Sequence, residues 1–301
     1  MALLNPPELR PSVIVTILRY LAAQPGHKDT ADHLVAILAP PTLLGADPQR
    51  DVNKNLATAM ELGLIMRDGD NVFLAEGVPT AVELGQGAIM KLVRGRVLDK
   101  SLNSAPWRSQ AGARDLTNAL SWFLTFAPSD APTQMEGESS LSANTLQTKD
   151  FGPRQAESGE DGPSNWPIGN QNRWNTFRRW ACSLGFAWAS PNGRLIPDPT
   201  VAVRDSLSEV FDGQQEMTAR DFIDKLAYCV PVIDGGRYRE FLVGHWERAA
   251  TESRGLTVPL TDALERLATE GSVSFDDRAD APRFARADGS TFSHVRWASG
   301  R

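Results

Sequence analysis

One pattern recurs along the chain and limits what it can fold into. A short amphipathic helix ends at a glycine, and an apolar strand, a tight turn and a second apolar strand follow it. The fullest copy lies between residues 10 and 77. Pro11 and Ser12 open a helix whose apolar face is Val13, Ile14, Ile17, Leu18 and Leu21, and Pro25-Gly26 stops it. Asp29 or Thr30 caps a second helix with Leu34, Val35, Ile37 and Leu38 inward, ended by Pro40-Pro41. Asp47-Pro48 starts a third, in which Val52, Leu56, Ala59 and Met60 repeat at helical spacing up to Leu62-Gly63. Residues 64–66 and 72–74 then read as two strands around the turn Asp68-Gly69-Asp70-Asn71. Three helices followed by a two-stranded ribbon is the winged-helix order.

The pattern returns twice. Trp174, Phe177, Trp180, Ala181 and Leu184 form a helical stripe that ends at Gly185, before a ribbon that turns at Pro191-Asn192-Gly193. Pro259 opens a later helix with Leu260, Ala263, Leu264 and Leu267 inward. It ends at Gly271, and residues 272–275 and 283–285 form its ribbon, with residues 291–297 as a further strand. The expected fold class is therefore α+β and mainly helical, with repeated winged-helix units joined by helical connectors and one flexible linker. The expected boundaries are a winged-helix domain over 1–80, a helical connector over 81–127 and the linker over 128–164. A second winged-helix-like domain with a helical extension covers 165–250, and a third unit covers 251–301. The linker rests on a run of Ser, Gly, Glu, Asp, Pro and Gln with few large apolar residues, which offers little burial against its ordering entropy.

Composition narrows the function. A length of 301 residues suits two or three modest cores, and no apolar run approaches the roughly 20 residues that span a bilayer. The opening residues lack a secretory signal pattern, and Cys182 and Cys229 stand far apart in apolar settings, so a cytoplasmic protein with free thiols is expected. The four histidines lack metal-ligand spacing, and there is no phosphate-binding glycine loop and no nucleophile elbow. We therefore expect no catalytic residues, no cofactor and no metal, hence a chain that is not an enzyme.

A net charge of −6 argues against bulk attraction to nucleic acid, so any DNA contact must be local. On the third helix of the first unit the solvent face offers Arg50, Asn53 and Lys54, types that reach base edges or phosphates from a major groove. Asp68 and Asp70 at the tip of that ribbon oppose phosphate. Lys91, Arg94 and Arg96 lead a basic run that continues through Lys100, Arg108 and Arg114, with Asp99 as its acidic neighbour. Arg173, Arg178, Arg179 and Arg194 flank the second unit's helix and turn. In the third unit Asp262, Glu265 and Glu270 outnumber Arg266, which favours a protein partner.

The stretch Leu-Asn-Pro-Pro-Glu-Leu-Arg-Pro-Ser-Val from Leu4 to Val13 and the closing Phe292-Ser293-His294-Val295 resemble the ends of DpdG-type proteins. That family is found in bacterial gene clusters that insert deazaguanine bases into DNA and restrict unmodified DNA. The resemblance implies an accessory protein of such a modification and restriction system, with a role in phage defence, and carries over no catalytic residue. The expected function is a non-catalytic, DNA-associated adaptor whose partners are DNA, mainly through its backbone, and other proteins of the same system, with no membrane contact. The alternatives are an assembly factor whose winged helices bind protein without touching DNA, and a transcription regulator.

Overall fold

The computed structural model describes residues 2–5, 7–40, 47–105, 107–108, 111–137, 139–155, 162, 164–247 and 255–298. It is an α+β structure, about half helical, with small antiparallel sheets. Helix α1 (Pro11–Ala23) buries Ile14, Val15, Ile17, Leu18 and Leu21 on one stripe, and the chain then turns through Gly26 at φ +67°. Strand β1 (Lys28–Thr30) follows. The Thr30 side chain accepts from the His33 backbone N–H and so caps α2 (Ala31–Leu38), while Asp47 accepts from Arg50 N and caps α3 (Pro48–Glu61). Helix α3 buries Val52, Leu56 and Ala59, and closes with Gly63 N bonded to Met60 O and Leu64 N to Ala59 O, with Gly63 at φ +65°. Strands β2 (Ile65–Asp68) and β3 (Asn71–Leu74) form the hairpin, and β3 lies between β1 and β2. Its registers are Lys28↔Phe73 on one side and Ile65↔Leu74 on the other.

Helices α4 (Val78–Leu84), α5 (Gln86–Leu98) and α6 (Arg114–Phe123) come next, and every residue of α6 is buried. The segment expected as a flexible linker is structured over most of its length. It contains α7 (Ala143–Phe151), capped by Ser142, and buries Ala131, Met135, Ala143 and Phe151. The physical reason is that its polar residues are used for internal bonding. Gln147 donates to Ile168 O at 2.9 Å and accepts from Ile168 N at 2.8 Å, while Trp122 Nε1 donates to Asp150 at 2.8 Å. Residues 138, 156–161 and 163 of the expected linker lie outside the described residues. Helix α8 (Gln171–Ser183) buries Trp174, Phe177 and Trp180. Beyond Gly185 at φ +76° comes the hairpin of β4 (Ala187–Ala189) and β5 (Leu195–Pro197).

The rest of the chain repeats the opening. Helix α9 (Thr200–Phe211), strand β6 (Glu216–Thr218) and helix α10 (Ala219–Cys229) are followed by α11 (Arg237–Val243) and α12 (Val258–Thr269). Strands β7 (Val273–Asp276), β8 (Phe284–Ala285), β9 (Thr291–Phe292) and β10 (His294–Trp297) complete it. The sheet order β6-β10-β7 reproduces β1-β3-β2. Thr218 caps α10 as Thr30 caps α2, and Ala219 N bonds Ser293 O as Ala31 N bonds Asp70 O. Helix α12 ends as α3 does, with Gly271 N to Ala268 O and Ser272 N to Leu267 O. The expected third unit is thus the second half of a larger one that begins near residue 200. Its first ribbon strand pairs with β10, and residues 284–285 pair instead with β9.

The chain forms two compact units rather than five segments. Unit 1 is Met1–Leu116 with Asn172–Leu184, and unit 2 is Thr117–Gln171 with Gly185–Arg301. Helix α8 from Asn172 onward therefore belongs to unit 1 while β4 and β5 belong to unit 2, so the expected 165–250 domain is not one body.

Candidate nucleic-acid interface

Helix α3 presents its polar side to solvent. Arg50 and Asn53 are exposed and Lys54 is half-buried, and with Asp47, Gln49 and Ala57 they line one open depression. Arg50 pairs with Glu8 at 3.0 Å, its own side chain 56% exposed, an arrangement weak enough to exchange for another anion. At the ribbon tip Asp68 and Asp70 are exposed, and Arg67 Nε donates to Gly69 O at 2.9 Å.

The remaining expected contacts separate by burial. Lys91 and Arg96 of α5 are exposed, but Arg94 is buried and its Nη1 donates to Leu184 O at 2.9 Å, closing the end of α8. Arg173 is buried beside Asp115. Neither of these two offers its head to a phosphate at the surface. Asp115 itself accepts from Leu3 N at 3.1 Å, Leu4 N at 2.8 Å and Leu116 N at 2.9 Å; burial raises its pKa, against the pull of those bonds and of Arg173. Arg178 is half-buried and Arg179 exposed. Arg194, in unit 2, spends its Nη2 on the carbonyls of Pro128 at 2.5 Å and Ser129 at 2.7 Å.

Unit 1 thus holds α3, α5 and the α8 arginines together, and it gains Arg10, which the sequence reading did not single out. The only hint was its place in the Pro-Glu-Leu-Arg-Pro stretch. Charge divides with the fold. The residues of unit 1 include 15 Lys and Arg against 12 Asp and Glu, a net +3, whereas unit 2 has 16 against 25, a net −9. In unit 2 the helix that corresponds to α3 is committed internally. Arg266 of α12 pairs with Asp198, and Arg204 of α9 grips Glu270 through both its Nε and Nη2. On the neighbouring sheet Glu216 and Asp276 bind Arg278 and Arg296, and the two guanidiniums hold the Glu216 carboxyl below its usual range.

The histidines are each bonded locally: His27 to Ala22 O, His33 to Asp29, His245 to Phe241 O and His294 to Ser293. Among the described residues no group of three or more His, Cys, Asp or Glu is placed to hold a metal ion, and no helix is long and apolar enough to cross a membrane.

Fold and charge define a protein of two α+β units, one basic and one acidic, each containing the same six-element arrangement of helices and sheet. The chain belongs to the DpdG-like family, whose model matches residues 1–281. No curated protein and no solved structure matches it.

Proposed function

We propose that the chain is a non-catalytic, DNA-associated adaptor and an accessory component of a bacterial deazaguanine DNA modification and restriction system, acting in phage defence. Family membership supports the setting. The two six-element arrangements are read here as winged helices, since a strand after the first helix and a central third strand are the features that fold combines. The observation that carries the DNA half is the exposed Arg50 and Asn53, with Lys54 beside them, on the third helix of a unit with net positive charge. Third helices of this kind enter the major groove. Unit 2, acidic and with its α12 arginine already paired, is the surface for protein partners of the same system.

A salt titration of duplex binding by the whole chain tests the proposal, because each phosphate contact contributes about 0.9 to the slope of log affinity against log salt. Arg50→Ala with Lys54→Ala is expected to weaken binding and to make that slope shallower by up to about 1.8. Absence of binding at low salt would leave the second reading, an assembly factor that binds only protein. That reading is favoured by the Arg50–Glu8 pair and the acidic tip at Asp68 and Asp70.

A further inference from the structure

Residues 7–10 run between α3 and α8 and are held from both sides. Buried Asn55 of α3 donates to Glu8 O at 3.0 Å and accepts from Arg10 N at 2.9 Å. From α8, Arg179 Nη1 donates to Pro7 O at 2.9 Å. With its main chain fixed in this way, the segment directs two side chains onto α3. Glu8 meets Arg50 at 3.0 Å, and Arg10 approaches Asp51 no closer than 3.7 Å, beyond hydrogen-bond distance. Arg179 thus sits on Pro7 and Arg10 follows three residues later on the same braced segment, next to the exposed face of α3. Desolvation and the nearby Arg10 charge hold the Arg179 guanidinium below its ordinary pKa. The Asp51 carboxylate, 3.7 Å from Arg10, makes no hydrogen bond to it, so the donors of both guanidiniums face outward in part, and a phosphate, which takes parallel N–H donors, suits them.

We propose that Arg10 and Arg179 form a clamp for one backbone phosphate of duplex DNA, and that residues 7–10 hold this clamp in register with Asn53 and Lys54 of α3. The inference rests on the DNA-binding reading above and deepens it. The three elements then address one duplex, α3 from the groove and the clamp from the flanking backbone, so the α3 and α8 contacts act as a single surface.

The whole chain carrying Arg10→Gln and Arg179→Gln is titrated with duplexes of two unrelated sequences over a range of salt. Binding is expected to weaken alike for both, since backbone contacts carry no base information, and the slope to become shallower by about 0.9, the value for the one phosphate lost. Arg179 also braces Pro7, so Arg10→Gln alone serves as the second variant. Its side chain makes no contact within hydrogen-bond distance among the described residues, and an unchanged thermal melt with weaker binding and a slope shallower by up to about 0.9 is expected. If the wild-type chain binds duplex and both variants match its slope, the clamp is overturned while the adaptor reading stands. A wild-type chain that binds no duplex at low salt overturns both.

Discussion

Asp29 shows how a single carboxylate settles the chemistry of its neighbours. The Tyr20 hydroxyl donates to it at 2.5 Å and His33 Nδ1 lies 2.7 Å away. Burial works to raise the Asp29 pKa, but these bonds and that of Thr30 N outweigh it and the net shift is downward. Tyr20 moves the other way: desolvation, together with the hydrogen bond and charge of Asp29, pushes its pKa up to about 12 from 10.0. A raised folded-state pKa means that the neutral phenol adds stability at all pH values below the unfolded value, and that this is lost as pH rises from 10 toward 12. Asp29→Asn removes the hydrogen bond and the charge but leaves the desolvation, so it is expected to lower the Tyr20 pKa part of the way from about 12, read as a shift of one step in an ultraviolet titration. A titration curve that Asp29→Asn leaves unchanged would refute the coupling. Cys229 is held back in a similar way: burial first, then the charge of Glu209 and a hydrogen bond to it, push its thiol up to about 11, so it is a poor nucleophile at neutral pH.

Periodic apolar faces made most elements readable: α1, α3, α8 and α12 stood out, each with its following glycine or proline. Strands β1 and β6 did not. Lys28-Asp29-Thr30 and Glu216-Met217-Thr218 have no apolar alternation, and they become strands because β3 and β10 offer them an edge. The shared Thr-Ala at 30–31 and 218–219, where one threonine ends a strand and caps a helix, was the available signal. Helix α7 was hidden because its order comes from side-chain bonds such as those of Gln147 rather than from an apolar stripe. The two buried arginines were legible in principle. Arg94 falls on the stripe Met90, Arg94, Val97, and Arg173 on Arg173, Phe177, Trp180, both at core-facing spacing. The closing glycines give a test at this scale. A Cβ at Gly63 meets nothing within 4 Å, so Gly63→Ala is expected to cost only the left-handed backbone penalty, about 1–2 kcal/mol. At Gly185 the same Cβ would lie 2.8 Å from Val201 Cβ and Cγ1, and overpacking adds about 1–3 kcal/mol more. Denaturant melts in which Gly63→Ala proves as damaging as Gly185→Ala would contradict this ranking.

Across the whole molecule, repetition supplies an internal control. Helices α3 and α12 occupy the same place in two arrangements with the same strand order, yet α3 presents Asn53 and Lys54 beside the exposed Arg50–Glu8 pair, while Arg266 of α12 is paired with Asp198. Hydrogen exchange on the intact chain is therefore expected to slow at residues 7–10 and along α3 when duplex DNA is added, with α12 unchanged; equal protection of α12 would show that both arrangements bind. The chain also leaves unit 1 after residue 116 and returns to it only for residues 172–184. A ribosome adds about 5–20 residues per second, so residues 117–171 occupy several seconds during which Arg94 lacks the Leu184 carbonyl and residues 7–10 lack Arg179. The basic face is thus completed by a helix that is made after more than half of the protein, and a nascent chain acquires its clamp only once synthesis of the acidic unit is already under way.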